Sequence, residues 1–195
     1  MVLGYLITFH TYGTWLHGSE KGSVDDDHNI PGEPYVPIDP DRHSREESEL
    51  KYSPIELDAE RRFIVDEAIR EVCEYRHWGL RALNPRTTHV HIVVSSSSTP
   101  ERVMKDFKGY STRWMREAGI LGKAVEPWSY HGSTRYLNTI NSFNRGIEYV
   151  LHQQGVLLPM KCPAGWTPRS SLRLFRDQNS PEAQENLDTQ NEPRT

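Results

Sequence analysis

The apolar and polar positions along the chain predict a series of short elements, beginning with a strand. The segment GYLITFHTY, residues 4–12, is rich in β-branched and aromatic side chains, as strands are. The next segment, residues 13–42, is crowded with Gly, Pro and Asp. We interpret residues 19–50 as an acidic, irregular insertion, since a connection of this length within a compact domain is generally functional or mobile.

A helix and a hairpin are predicted next. Over residues 57–75 the apolar side chains recur at helical spacing, with charged side chains between them. Two strand-length segments follow, residues 77–85 and 87–96, separated by a turn at Pro85-Arg86. Strand-length segments joined by such a short turn predict a β-hairpin.

The second half of the chain adds two helices and a short strand. Thr99 followed by Pro100 is typical of a helix start, because Thr caps the first turn and Pro fits the first helical position. We expect this helix to continue to Gly119. The segment TRYL, residues 134–137, predicts a short strand, and residues 141–155 predict the last helix.

The order of these elements predicts an α+β fold. Strand, helix, strand, strand, helix, strand and helix follow one another, which favours a ferredoxin-like antiparallel sheet covered by helices on one side. We expect one domain over residues 1–160. The tail, residues 161–195, is polar, and its last twenty residues have the composition of a disordered segment.

Composition restricts the class of protein. The chain is 35% hydrophobic and 26% charged, and it has no apolar run near the ~18 residues that a membrane helix requires. The apolar start of the chain has neither preceding basic residues nor a small-residue cleavage site. The two cysteines form no CxxC pair, which fits a reducing compartment. We therefore expect a cytoplasmic protein without a membrane partner.

Charge is distributed unevenly along the chain. The net charge is −4, but residues 100–175 carry eleven Lys and Arg against five Asp and Glu. Residues 19–50 show the opposite balance, with ten acidic residues against three basic ones. A basic segment favours a phosphate-containing partner such as nucleic acid, although a solvated charged face would give the same count.

Two histidines share one face of the third predicted strand. His89 and His91 are two residues apart, and side chains alternate between the faces of a strand, so both imidazoles point the same way. This arrangement suits two ligands of one divalent ion, which then needs a third ligand from elsewhere. The alternative is a pair of structural histidines that bind no metal.

The last predicted helix offers further polar candidates. At 100° per residue, Tyr149 and Gln153 lie together away from the apolar stripe, whereas Gln154 points towards the core. Arg145 and His152 flank Tyr149. Tyrosine has a pKa near 10, so its use as a nucleophile at phosphorus requires nearby positive charge or a metal ion. These residues supply the components of a metal-assisted tyrosine nuclease.

The combination of THVHIVV with Tyr149 in a C-terminal helix resembles the single-tyrosine HUH transposases. It is similar to the insertion-sequence type and to the REP-associated tyrosine transposases, and the similarity includes FKGYSTRWM and HGSTRYLNTINSFNRGIEYVLHQQG. The resemblance implies a ferredoxin-like endonuclease and strand transferase, residues 1–160, that cuts single-stranded DNA at or beside a hairpin. Tyr149 would become joined to the 5′ phosphate.

The resemblance also implies ligands and partners. His89 and His91 match the HUH histidines and would bind Mg²⁺ or Mn²⁺. Gln153 matches the third ligand by position, with the neighbouring Gln154 as the alternative. The protein would act as a monomer or homodimer, with Tyr149 working in its own site or in a partner's. A non-enzymatic DNA-hairpin binder derived from such a transposase is the alternative function.

Several basic side chains are candidate DNA contacts. Those on the helix that begins at Pro100 lie largely outside its apolar series and are plausible phosphate contacts. Tyr110 belongs to that apolar series, so we interpret it as a packing residue, although it is a rival candidate for the nucleophile. The segment GSTR, residues 132–135, combines backbone N–H groups, hydroxyls and a guanidinium, as phosphate sites and common turns both do. The predicted contacts are Lys105, Lys108, Arg113, Arg116, Arg135 and Arg145. Trp128 and Tyr130 could stack on unpaired bases or pack in the core.

Overall fold

The computed structural model describes residues 2–18 and 37–167, and in this part of the chain four strands and four helices form. The strands are β1 (Gly4–Thr11), β2 (Gly79–Pro85), β3 (His89–Ser95) and β4 (Trp128–Leu137). The helices are α1 (Pro40–Ser48), α2 (Ala59–Arg76), α3 (Pro100–Glu117) and α4 (Ile140–His152). All of the predicted elements are present, and all except β4 lie within a few residues of their expected bounds.

The sheet has the strand order β2-β3-β1-β4, and each neighbouring pair is antiparallel. With α2 joining β1 to β2 and α3 joining β3 to β4, this is the ferredoxin-like arrangement that the sequence predicted. The central pair fixes the register of the sheet, with Ile7 opposite Ile92 and Thr8 opposite His91. Residues that face each other across antiparallel strands share a sheet face.

One face of the sheet is apolar and is covered by α2 and α3. We call it the apolar face. Its side chains on the two central strands are almost fully buried, which removes large apolar area from water and stabilises the fold. They are Tyr5, Ile7, Phe9, Val90, Ile92 and Val94. Phe107 and Trp114 of α3 are fully buried as well, and Phe107 packs edge-on against Trp78.

The opposite face carries the histidines, and α4 covers only part of it. We call it the histidine face; on β1 and β3 it includes Thr8, His10, His89 and His91. A small second core lies under α4, where Val150 packs with Val93 and Leu137. The sheet is therefore covered on both faces, rather than on one as the sequence suggested, because α4 has its own apolar stripe to bury.

Local capping explains where the helices begin. The side chain of Asp58 accepts a hydrogen bond from the Arg61 N–H at the start of α2, and Thr99 caps α3 ahead of Pro100. Thr139 starts α4 with a reciprocal capping box that includes Ser142. These short-range bonds fix the first turns of the helices, which agrees with the sequence prediction for α3.

Two elements differ from the sequence prediction. Helix α1 forms within the insertion of residues 19–50, where an irregular segment was expected; Asp39 caps it and Pro40 opens it. Strand β4 is ten residues long, although only TRYL was predicted, because its pairing with β1 extends to Trp128. Residues 19–36 of the insertion and residues 168–195 of the predicted tail lie outside the described residues.

The described elements all lie in a unit that ends at Pro163, and a second unit begins at Ala164. None of the helices in residues 2–18 and 37–167 combines the length and the apolar character that a bilayer crossing requires.

Candidate metal and tyrosine site

The two histidines of β3 lie side by side on the histidine face. Their ring centroids are 4.6 Å apart and their planes make an angle of 73°. When two imidazole nitrogens bind one ion at about 2.1 Å and the two nitrogen–metal bonds are at right angles, the ring centroids lie about 4.6 Å apart. The spacing of His89 and His91 therefore fits two ligands of a single metal ion.

Threonine hydroxyls orient both rings. Thr8, opposite His91 on β1, shares a hydrogen bond of 2.8 Å between its Oγ1 and the Nδ1 of His91. Thr88 shares one of 3.1 Å between its Oγ1 and the Nδ1 of His89. When Nδ1 carries the ring proton, Nε2 presents its lone pair, which is the usual arrangement around a metal-binding histidine.

The environment of His91 favours its neutral form. Burial, followed by the neighbouring charges of His89 and His10, lowers the pKa of His91 to about 3. The ring is only 6% exposed, so the low pKa follows from loss of solvation. A neutral imidazole can bind a metal without first losing a proton.

Tyr149 lies in the same chain as these histidines and next to one of them. It occupies the last turns of α4, and its ring contacts that of His91 edge-on with centroids 5.4 Å apart. The side chain is 37% exposed, so it is accessible from solvent. A single chain thus brings together the tyrosine and the histidine pair.

The two glutamines after Tyr149 are placed differently from the helical extrapolation. Helix α4 ends at His152, and Gln153 is an exposed C-cap whose N–H donates to the Tyr149 carbonyl at 3.2 Å. Gln154 is half-buried, its Nε2 donates to the Tyr149 carbonyl at 3.2 Å, and its side chain acts to raise the pKa of His91 against the larger effect of burial. The 100° rule applies only within a helix, so it does not extend past residue 152.

His10 is a neighbour of the site that the sequence reading missed. It pairs with His89 across β1 and β3, and the two rings are 5.4 Å apart at their centroids. On its other side His10 stacks on Trp15 at 4.5 Å. Alternation along β1 puts His10 and Thr8 on one face, but only the pairing of β1 with β3 shows that this is the face of the HxH motif.

The donor set suits a divalent ion of intermediate softness. Within residues 2–18 and 37–167, no group of three or more His, Cys, Asp and Glu side chains is arranged to hold a metal. The imidazoles of His89 and His91 lie together instead, and the amide of Gln154 acts on the pKa of His91. Imidazole nitrogens bind divalent ions of this kind when water or other oxygen ligands complete the coordination.

The predicted DNA contacts of α3 lie on the other side of the sheet. Lys108, Arg113 and Arg116 line a groove of about 820 Å³ together with the stacked rings of Tyr12 and Tyr52. The described residues that line this groove do not include the histidine pair or the tyrosine of α4. The α3 cations and the candidate metal site are therefore on separate surfaces.

Most of these α3 cations have partners within the protein. The ammonium of Lys108 donates to the carbonyls of Ser129, Tyr130 and His131 at 2.9, 3.3 and 3.1 Å. Burial lowers the pKa of Lys108 to about 8. Arg116 pairs with Glu126 at 2.9 Å. Lys108 thus shapes the start of β4, in addition to any contact with a ligand.

Arg113 stacks on the ring of Tyr110 with 4.5 Å between its Cζ and the ring centroid. Tyr110 is half-buried on α3, so the ring packs partly against its own helix and is not one of the core residues. Trp128 is buried and its Nε1 donates to the Lys108 carbonyl and to Thr112 Oγ1. Tyr130, by contrast, is 89% exposed.

The remaining predicted contacts divide between the surfaces. Arg135 faces Leu6 across β4 and β1, so it lies on the histidine face. Thr134, its neighbour in the GSTR segment, lies on the apolar face and hydrogen-bonds to Glu101 of α3. Arg145 is exposed on α4, one turn before the tyrosine, and Lys105 is exposed on α3.

Comparison with known proteins places part of the chain in a family. Residues 50–131 match the family model described as transposase IS200 like, a range that includes the HxH motif and ends before the tyrosine of α4. No curated protein matches the chain.

Among solved structures, the chain is similar to one described as "Structure of the REP associates tyrosine transposase bound to a REP hairpin". The TM-score is 0.41 and the sequence identity is 9%, over 77% of this chain and 66% of that one. The chain thus spans slightly less than two thirds of the length of that structure. The fold assignment rests on the strand order and register described above. The match over residues 50–131 shows that this part of the chain, which includes α2, β2, β3 and α3, is similar to the IS200-like transposases.

Proposed function

We propose that the protein is a metal-dependent, single-stranded DNA endonuclease and strand transferase that uses Tyr149 as its nucleophile. The observation that carries the proposal is the contact of the Tyr149 ring with His91, at 5.4 Å between centroids, in a chain whose residues 50–131 match a transposase family model. The substrate that we propose is single-stranded DNA at or beside a hairpin.

The ligands of the metal would be His89, His91 and a glutamine. We favour Gln154 as the third ligand, because its side chain is near enough to His91 to raise the pKa of that ring, and keep Gln153, which is exposed, as the alternative. A bound Mg²⁺ or Mn²⁺ would polarise the scissile phosphate as a Lewis acid.

The proposed step is a transesterification at phosphorus. The phenol oxygen of Tyr149 forms a bond to the phosphorus and loses its proton to solvent, while the bond from phosphorus to the 3′ oxygen of the preceding nucleotide breaks. That oxygen takes up a proton and leaves as a free 3′ hydroxyl. The 5′ phosphate stays on the tyrosine until the attack of a 3′ hydroxyl reverses the step, which gives strand transfer.

The DNA would run over the histidine face. Ser133 and Arg135 of β4 lie on this face and are exposed, and Ser133 is in the same cross-strand row as Thr8 and His91. Arg145 precedes the tyrosine by one helical turn. We propose that these side chains bind phosphates next to the cleaved bond, which fixes the position of the strand without reading its sequence.

A covalent adduct tests this function. The protein is incubated with Mn²⁺ and a pool of single-stranded oligonucleotides that share a stable hairpin and have randomised flanking bases. We expect a protein–DNA adduct that survives denaturation in SDS. Tyr149→Phe should abolish it while binding to the hairpin pool stays unchanged, since only the hydroxyl is removed.

Two other results would change the assignment. An adduct formed by Tyr149→Phe would show that a different residue attacks the phosphate. Tight hairpin binding with no adduct, whichever divalent metal is added, would favour the non-enzymatic DNA-hairpin binder instead.

A further inference from the structure

Two side chains at the tip of the β2–β3 hairpin bind the main chain around the end of α4. Asn84 is 4% exposed, and its Nδ2 donates to the Val150 carbonyl at 2.8 Å. Arg86 lies in the turn, and its Nη1 donates to the Val156 carbonyl at 2.7 Å. We call these two residues the hairpin clamp.

The clamp brackets the part of the chain that carries the proposed chemistry. Val150 directly follows the tyrosine, and Val156 comes two residues after Gln154. The last four carbonyls of a helix have no partner within it. In α4, the Val150 carbonyl accepts from Asn84, while the Tyr149 carbonyl accepts from the side chain of Gln154 at 3.2 Å. The clamp therefore fixes the turn in which Gln154 leaves the helix.

The clamp and the histidine pair are built on the same hairpin. Asn84 lies opposite His91 in the pairing of β2 with β3. The turn is anchored on its other side, where the carbonyls of Thr87 and Thr88 accept from the N–H groups of Leu57 and Thr11 at 2.7 and 2.9 Å. Because the clamp and His91 share this hairpin, a shift of the α4 end relative to the clamp is also a shift relative to His91.

The apolar contacts of α4 do not provide this precision alone. Val150 is buried, but Phe143 and Ile147 are only partly buried, and the hydrophobic effect has no directional preference. A helix held only by such contacts can rotate or slide by a fraction of an ångström. Reactions that depend on the placement of a nucleophile lose about 100-fold in rate for a displacement near 1 Å.

We propose that Asn84 and Arg86 are positioning residues, which hold Tyr149 and Gln154 against His91 of their own chain. This inference rests on the proposed function of the tyrosine. The side-chain hydrogen bonds of the clamp go to main-chain carbonyls on each side of the two glutamines. The main-chain N–H of Arg86 also donates to the His89 carbonyl at 2.7 Å, so the turn is joined to the strand of the histidines as well.

Arg86→Ala is the main test, with Lys161→Ala as its matched control. Both remove a partly or largely exposed cation that secures the chain after α4, since Lys161 pairs with Glu60 of α2 at 3.0 Å. For Arg86→Ala we expect adduct formation about 10-fold to 100-fold slower, with affinity for the hairpin pool within about twofold of the unmodified protein. Lys161→Ala should leave both unchanged.

Arg86→Lys and Asn84→Leu complete the test. Arg86→Lys keeps a donor and the charge, so we expect it to recover part of the lost rate. Asn84→Leu removes the buried donor and should weaken Mn²⁺ binding, measured by calorimetry, by about 10-fold, as loss of supporting contacts does in metal sites. If Asn84→Leu does not fold, the Arg86 variants decide the question.

Amide hydrogen exchange separates this inference from the proposed function. We expect faster exchange over residues 150–156 in Arg86→Ala, with unchanged exchange in α2. If the unmodified protein forms no adduct, the proposed function fails, and the clamp is judged by exchange alone. Unchanged exchange over residues 150–156 in Arg86→Ala would overturn the clamp, as would faster exchange with an unaltered rate of adduct formation.

Discussion

The two faces of the sheet are made by the same strands and differ in almost every physical property. On β3, Val90, Ile92 and Val94 are fully buried under α2 and α3, whereas the alternate residues His89, His91 and Val93 lie on the other face. The apolar face buries aromatic and aliphatic side chains in a continuous core. The histidine face combines hydroxyls, imidazoles and an amide with a smaller apolar core beneath α4.

Because of this difference, residues that stabilise the fold and residues proposed to act in the site alternate along the same strand. Side chains alternate along a strand, so a residue that stabilises the fold and a residue that serves the site can be adjacent in sequence. Substitutions on the apolar face should therefore lower the free energy of unfolding. Substitutions on the histidine face should lower metal binding and activity at nearly constant stability.

The largest expected effect is on the histidine face. His91→Gln keeps much of the buried volume but removes an imidazole that we propose as a metal ligand. We expect adduct formation to fall at least about 1,000-fold, because active-site residues that act as a unit fail together. The melting temperature should change by only a few degrees. A variant with normal adduct formation would contradict the role of His91.

The neighbouring residue should behave in the opposite way. Ile92→Ala deletes a fully buried side chain on the apolar face, and the cavity should cost about 2–5 kcal/mol in the free energy of unfolding, measured by urea denaturation. Below the transition, the fraction that is folded should still form the adduct at a normal rate. Loss of activity in folded Ile92→Ala would contradict the view that residues of the apolar face affect stability alone.

A pH titration should detect the buried imidazole. The pKa of His91 is about 3 in the folded protein, below the ordinary value near 6.5 in the unfolded chain. The unfolded state therefore binds more protons as the pH falls, and stability decreases from about pH 6.5 downwards. The contribution of this one group is about 2 kcal/mol between pH 6.5 and 4.5, because each unit is worth 1.36 kcal/mol at most. In metal-free protein, His91→Gln should reduce this slope; an equal slope would assign it to other groups.

A smaller effect is expected from the hydroxyl that orients His91. Thr8→Val keeps the shape of the side chain and removes the hydrogen bond to Nδ1. Supporting contacts of metal ligands are typically worth 10-fold or more in affinity, so we expect Mn²⁺ binding to weaken about 10-fold. Thr134→Val, which changes the other face of the neighbouring strand, should leave Mn²⁺ affinity unchanged.

The smallest effect concerns DNA binding along the histidine face. Arg135→Ala should weaken binding of the hairpin pool for all flanking sequences, and the slope of log affinity against log salt should become shallower by about 1, as expected for one lost phosphate contact. An equal loss of hairpin binding in Lys105→Ala would indicate that the DNA-binding surface also includes α3. A loss in Lys105→Ala alone would move it away from the histidine face.

Much of the fold follows from local patterns. The alternation in β3 predicted the common face of His89 and His91, and Thr99-Pro100 predicted the start of α3. The strand and helix order predicted the ferredoxin-like sheet. These signals involve residues close in sequence, so a single sequence is enough to predict them.

The surroundings of the site could not be read in this way. Thr8, His10 and Asn84 come from two other strands, and nothing local indicates that they lie beside the HxH motif. The end of α4 is a similar case. Helix α4 ends at His152, and the side chain of Gln154, rather than that of Gln153, acts on the pKa of His91.

The sequence by itself determined on which side of each strand and helix the candidate residues lie, because side-chain direction follows from the strand and helix periods. The tertiary structure decided which of these sides meet. The order β2-β3-β1-β4 surrounds His91 with Thr8 and Asn84, and the packing of α4 on the same face brings the tyrosine to it. Strand pairing and helix docking depend on contacts between residues far apart in the chain, which local periodicity does not encode.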